Sequence, residues 1–249
     1  MLQDLLNKLS REIPQNTAAW DRIRLGRFTA SKIWQLMSEP RSKAAKEAGL
    51  FSETGERYIA QTIAEELTGV PVEETWGRAI DWGNEYEEEA ILALADKMGV
   101  EKPEYIQFKP AFTLFNEYSG GSPDAKLYLS DGNGGYRWVG VEVKCPFNSI
   151  NHFWHSQIID AETLKEIDST YYWQVCLNIL CQRAAEWVFC SYDPRYPDGK
   201  RVHWAFIYPS VDDLTALCEK IDKAWARRAE VMAKFMEYDS ANELYKPKV

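Results

Sequence analysis

Apolar residues recur at helical spacing over five stretches of the chain and crowd at strand spacing over six. The clearest helix is expected over 52–68: Ser52 caps it, Tyr58, Ile59, Ile63 and Leu67 share a face, and Gly69 stops it. Helices are also expected over 79–98, ended by Gly99, over the apolar 170–181, and over 211–238, rich in Ala and charge. Thr29 stands where an N-cap would open a helix through Met37, with Ile33, Trp34 and Met37 as its stripe. The pattern predicts strands over 105–109, 112–115, 125–129, 136–144, 186–192 and 202–208. Residues 7–20 form a lead-in broken at Pro14, and 40–49 a basic loop. No repeat, low-complexity tract or linker interrupts this order, which predicts one α/β domain with a central mixed β-sheet flanked by helices.

One predicted strand breaks its own pattern. Residues 138–145 are apolar on both faces except for Glu142 and Lys144, which lie two apart and so project side by side. Eighteen positions earlier stands Asp124, in Ser122-Pro123-Asp124, and Ser130-Asp131-Gly132-Asn133-Gly134-Gly135 supplies a turn between the two. Folding that hairpin brings two carboxylates and an ammonium to one sheet edge. Glu-x-Lys alone is common on exposed strands, but charges interrupting a buried run are costly unless they have a task. Two hard oxygen ligands suit Mg²⁺, and a lysine beside them can orient or activate a water. That is the equipment for cutting a phosphodiester.

Composition narrows the class. With 45% hydrophobic and 27% charged residues over 249 positions, the chain is long enough for one sizeable core. No apolar run is long enough to span a membrane, and Met1-Leu2-Gln3-Asp4 does not open a signal peptide, so a cytoplasmic protein is expected. The cysteines (Cys145, Cys176, Cys181, Cys190, Cys218) are scattered in apolar segments with no zinc spacing and read as buried free thiols. The i, i+3 pair His152 and His155 lacks a third ligand nearby, and no glycine-rich loop for ATP phosphates is present. Trp138, Trp173, Trp187, Trp204 and Trp225 are expected to fill the core.

The net charge of −9 is unevenly spread. Arg22, Arg24, Arg27, Lys32, Arg41, Lys43 and Lys46 face one acid, Glu39, a local +6, whereas 47–104 carries −11. Such a chain can grip a polyanion in one place and repel it elsewhere.

Gly121-Ser122-Pro123-Asp124 with Val141-Glu142-Val143-Lys144-Cys145-Pro146-Phe147 resembles the phage lambda exonuclease, or YqaJ-type viral recombinase, branch of the PD-(D/E)xK nucleases. Further segments follow in family order: Ile23-Arg24-Leu25-Gly26 into Thr29-Ala30-Ser31, Pro40-Arg41-Ser42, Trp82-Gly83-Asn84-Glu85-Tyr86-Glu87, the Gln174 helix and Tyr192-Asp193-Pro194-Arg195. The resemblance implies a single nuclease domain over 1–249, a basic helical segment 1–70 packed on a core 71–249. It implies a Mg²⁺-dependent enzyme, with two ions expected and Mn²⁺ as a substitute. Such an enzyme degrades the 5′-ended strand from double-stranded DNA ends and leaves 3′ overhangs for a single-strand annealing protein. It also implies a homotrimer.

By residue, the resemblance makes Asp124, Glu142 and the Val143 carbonyl metal ligands, with Glu87 a further one and Lys144 the group that positions the nucleophile. Gly83, one turn before Glu87, is expected to let Glu87 approach the sheet edge. Gln174 is expected to bond Lys144 or the attacking water. Asn178 stands where the family's Gln-x-x-x-Tyr motif has its tyrosine, and Tyr171 is a supporting candidate. Arg24 and Ser31 would hold the 5′ phosphate, Ser31 from the first turn of a helix. Arg41 and Ser122 would touch DNA backbone, and Ile80 would be a wedge between strands. The competing expectations are a PD-(D/E)xK endonuclease, which would cut closed circles, and a non-catalytic DNA-end-binding module.

Overall fold

The computed structural model of the chain describes residues 13–72, 77–100 and 102–242; residues 1–4 and 7–12, on which the reading of the chain's start partly rests, lie outside them. Helix α1 (Ala18–Arg24) opens under a cap from the Thr17 side chain. A two-residue strand β1 (Phe28–Thr29) and a 3-10 turn (Ala30–Lys32) follow, then one turn of helix α2 (Trp34–Met37). Thr29 stands at the N-cap position of the 3-10 turn, but its side chain makes no capping bond there. Its N–H donates to the Tyr58 hydroxyl at 2.7 Å, and the helix expected over 29–37 is broken by strand pairing at its start. The expected loop at 40–49 contains a short helix α3 (Lys43–Glu47), capped by Ser42. Helix α4 (Glu53–Thr68) has the predicted ends: Ser52 accepts from the Gly55 N–H, and Gly69 closes it at φ 68°.

Helix α5 (Arg78–Lys97) leads to strands β2 (Ile106–Phe108), β3 (Thr113–Asn116), β4 (Ser119–Gly121), β5 (Ala125–Ser130) and β6 (Tyr136–Lys144). Helices α6 (Ser149–His155), α7 (Ala161–Ile167) and α8 (Ser169–Gln182) carry the chain across to β7 (Trp187–Tyr192), β8 (Val202–Ile207) and the terminal α9 (Val211–Asn242).

The strands form two sheets where one was expected. The larger has order β2-β5-β6-β7-β8 and is mixed, because β6 and β7 run parallel while every other pair is antiparallel. The smaller joins β1, β4 and β3. The alternation along β6 sorts its side chains. Val139, Val141 and Val143 pack with Ala90, Ile91 and Leu94 of α5, while the opposite face meets α8. On that second face Trp187 and Phe189 join Val175, Cys176 and Ile179 of α8, then Ile33, Ile59 and Leu217, so the N-terminal helices share one core with the sheet.

Gly140 is needed here, since a Cβ on it would lie 2.3 Å from the Trp187 ring. Of the five tryptophans expected in the core, Trp187 alone is fully buried. Trp173, Trp204 and Trp225 pack at the core's margins, and Trp138 is 48% exposed. All five cysteines are free thiols; Cys176, Cys181 and Cys190 are buried and Cys145 and Cys218 half-buried.

Candidate active site

Asp124 is fixed by backbone before its side chain does anything. Its N–H donates to the Val141 carbonyl at 3.1 Å, and its own carbonyl accepts from the Lys109 N–H at 2.9 Å. The carboxylate then reaches back across the hairpin, Oδ2 accepting from the Val143 N–H at 2.7 Å. The turn that makes this possible is tied by Asp131, which accepts from Asn133 and Gly135 N–H groups, with Gly132 and Gly134 at φ 77° and 87°.

Glu142 is fully buried, yet both its oxygens are bonded. Oε1 accepts from Lys144 Nζ at 2.6 Å and Gln174 Nε2 at 2.5 Å, and Oε2 accepts from Asn178 Nδ2 at 3.1 Å. A buried carboxylate survives only with such partners. Gln174 thus bonds Glu142 rather than Lys144: it lies on the α8 face that covers the second face of β6, where Glu142 points. Asn178, one turn further on, is a site residue that the sequence did not reveal. It stood only as a mismatch to a tyrosine, and its partner is 36 positions away. Lys144 Nζ also lies over the Tyr171 ring, 4.6 Å from its centroid.

The charges crowd one another. Burial and the neighbouring Glu142 push the Asp124 carboxyl up to about 7, against the pull of Lys144. Burial, then the Asp124 charge, raises Glu87, while Lys109 and Lys144 oppose the rise. Burial works against a charged Lys144, but Glu142 and Asp124 outweigh it and hold the ammonium above its ordinary value. Cys145, next in the chain, is pushed up to about 12 by burial and then by Glu87 and Asp124, so it is a thiol rather than a nucleophilic thiolate.

Three adjoining hollows run past these groups. One of about 240 Å³ is lined by Ile80, Gly83, Glu87, Asp124, Val143 and Lys144. A second of about 150 Å³ shares Asp124 and adds Arg24, Ser31, Ser122 and Gln174. A third of about 570 Å³ shares Arg24 and Ser31 with the second, and Ile80 and Asn84 with the first. The groove therefore connects Arg24, Ser31 and Ser122 to the acidic centre. The Arg24 guanidinium carbon lies over the Trp20 ring, 3.9 Å from its centroid.

Ser31 is in the three-residue 3-10 turn, so the helix N-terminus expected to help it bind an anion is not there. Arg41 is exposed and lines none of the three hollows. Ile80 is 39% exposed at the junction of two of them. A Cβ on Gly83 would meet nothing within 4 Å, so glycine there leaves the hollow open and is not what lets Glu87 approach the sheet. In the basic segment Lys43 pairs with Glu47 and Lys46 with Glu39, each at 3.7 Å and exposed to solvent. His152 and His155 both bond the buried Ser191 hydroxyl, a structural role.

Among the described residues no three His, Cys, Asp or Glu side chains form a ready metal cluster. The donors nonetheless suit a hard divalent cation. Asp124 and Glu142 offer carboxylate oxygens with lone pairs to spare, Val143 and Glu87 line the same hollow as Asp124, and the crowded negative charge is what a cation relieves.

The profile of the YqaJ-like viral recombinase domain matches residues 19–185. No curated protein sequence matches the chain. Among solved structures, the chain is similar to LHK-Exo, an alkaline exonuclease from Laribacter hongkongensis, with 22% identity, TM-score 0.67, and coverage of 91% of this chain and 99% of that one. The same protein in complex with dAMP gives 23% identity and a TM-score of 0.68, with the same coverage. A phage-related exonuclease from Haemophilus somnus 129PT gives 17% identity and a TM-score of 0.65, covering 84% of this chain and 96% of that one. These likenesses establish a shared mixed α/β fold. No helix among the described residues is long and apolar enough to cross a membrane.

Proposed function

Because the chain belongs to the YqaJ-like viral recombinase family, we propose that it is a Mg²⁺-dependent exonuclease that enters at double-stranded DNA ends. In this proposal it removes the 5′-ended strand and leaves 3′ overhangs for recombination by strand annealing. The observation that carries the proposal is the convergence of Asp124, Glu142 and Lys144 at the C-terminal end of the central strand β6, where Asp124 and Lys144 line a groove that runs on to Arg24. The fold shared with an alkaline exonuclease that binds dAMP supports the same chemistry.

Mg²⁺, one ion or two, would be held by Asp124, Glu142 and the Val143 carbonyl with Glu87 across the hollow; when bound it supplies Lewis-acid stabilisation of phosphate charge and a water of lowered pKa, and Mn²⁺ is a fitting substitute. Without a metal, Glu142 and Asp124 hold Lys144 as an ammonium; in this reading it orients the attacking water and offsets phosphate charge. Gln174 and Asn178 fix the Glu142 carboxylate from α8. Arg24 and Ser31 bind the terminal 5′ phosphate, and Ser122 and Arg41 contact backbone near the end. Ile80, between the end-binding and acidic hollows, parts the strands there. The proposal extends to a homotrimer working with a single-strand annealing protein in the cytoplasm of a bacterial host.

The test is a linear duplex phosphorylated at one 5′ end only, incubated with the protein and Mg²⁺ beside a covalently closed circle. Loss of the phosphorylated strand with the circle intact is expected. Preferred loss of the other strand would refute the polarity, and cutting of the circle would make the protein an endonuclease.

A further inference from the structure

A second lysine stands at the acidic hollow, and nothing in the Asp…Glu-x-Lys pattern calls for it. Lys109 follows the last residue of β2, and its backbone is in the left-handed region at φ 45°. That conformation costs a side-chain-bearing residue on the order of 1–3 kcal/mol, and Gly or Asn adopts it more readily. Its N–H donates to the Asp124 carbonyl at 2.9 Å, which ties the strained residue to the segment carrying the first acid. Its side chain turns to the other acid: Nζ lies 3.3 Å from Glu87 Oε1. Glu87 belongs to α5 and Asp124 to the segment that leads into the hairpin, so Lys109 bridges two elements that line the hollow. The lysine is 45% exposed and Glu87 23%, so the pair is open enough to exchange.

We propose that Lys109 is a built-in counter-cation for Glu87, which a divalent ion must displace before Glu87 can bind metal. The inference rests on taking the hollow lined by Asp124 and Glu87, with Glu142 beneath it, as the metal site. An ammonium and a divalent ion on one carboxylate repel each other, so the lysine lowers the affinity of that side of the hollow while holding Glu87 in place.

The test is Mn²⁺ binding without DNA, followed by the electron paramagnetic resonance of the free ion. It compares the wild-type chain with Lys109→Asn, Lys109→Arg and Asp124→Asn. Asn is at home in the left-handed region, so Lys109→Asn removes the charge without straining the fold. At low salt it should bind Mn²⁺ roughly three- to tenfold tighter than wild type, and the difference should shrink as ionic strength rises. Lys109→Arg keeps the charge and should bind as wild type does. Binding by Lys109→Asn that is no tighter, or Arg and Asn variants that behave alike, would overturn the counter-cation role. In that case weakened binding by Asp124→Asn would still leave the metal site standing. Asp124→Asn binding Mn²⁺ as well as wild type would remove the metal site and the role of Lys109 together.

Discussion

At the scale of single residues, the site is decided by how one buried carboxylate is satisfied. Glu142 has three donors, and the least expected is Asn178, fully buried on α8. Its amide orientation follows from chemistry: turning it over would set oxygen against oxygen. The other amide atom, Oδ1, has no partner and lies where a Cβ on Gly121 would be, 2.2 Å away, so Gly121 makes the room that Asn178 occupies. A buried acceptor left unbonded is a cost carried by the fold at this point. Asn178→Asp preserves the shape and replaces the donor by a second carboxylate against Glu142. Activity measured across a range of Mg²⁺ concentrations should fall roughly 10- to 100-fold, as when a partner behind a metal ligand is lost. An undiminished rate would mean that Asn178 is only filling space.

At the scale of elements, the parallel pairing of β6 with β7 is what sets α8 over the site, and Gly140 is the position where that pairing is most exacting. The Trp187 ring lies against it with no room for a methyl group. Gly140→Ala should destabilise the protein by about 1–3 kcal/mol, the usual cost of overpacking, read as a lower denaturation midpoint at unchanged slope. An unchanged midpoint would show that Trp187 can move. The elements that carry this arrangement were legible in the sequence because each has a local signal: Ser52 and Gly69 bound α4, and the Asp131 turn joins two apolar strands. Helix α6 was not legible, since Ile150, Phe153 and Trp154 are more than half exposed and make no stripe toward a core. Strand β4, Ser-Gly-Gly, has no strand signature and exists only because β1 and β3 flank it. The same division holds within the site. Asp124, Glu142 and Lys144 are marked by spacing along one hairpin, whereas Asn178 and Lys109 acquire their partners only on folding.

At the scale of the whole molecule, a chain of net charge −9 that takes up DNA, as proposed, must do so through a confined surface. Within the basic segment Arg27 is held internally, donating to the Ile23 and Glu117 carbonyls, while Lys43 and Lys46 form only exposed ion pairs with Glu47 and Glu39. Arg24 lines two of the three hollows, its guanidinium over the Trp20 ring, in the hollow that it shares with Asp124. If the groove takes a duplex end, this guanidinium fixes where the end stops, and the distance from end to acidic centre then fixes which bond is cut. Polarity and end selection would have one physical cause. Arg24→Ala should therefore erase the preference for 5′-phosphorylated over 5′-hydroxyl ends, a loss of roughly 10- to 100-fold for one charge-assisted contact, while slowing hydroxyl ends far less. The salt dependence of end binding should become shallower by about one counterion. Paired rate measurements on the two kinds of end check both. A preference that survives in the variant would separate end recognition from Arg24 and leave the groove without the anchor that gives it direction.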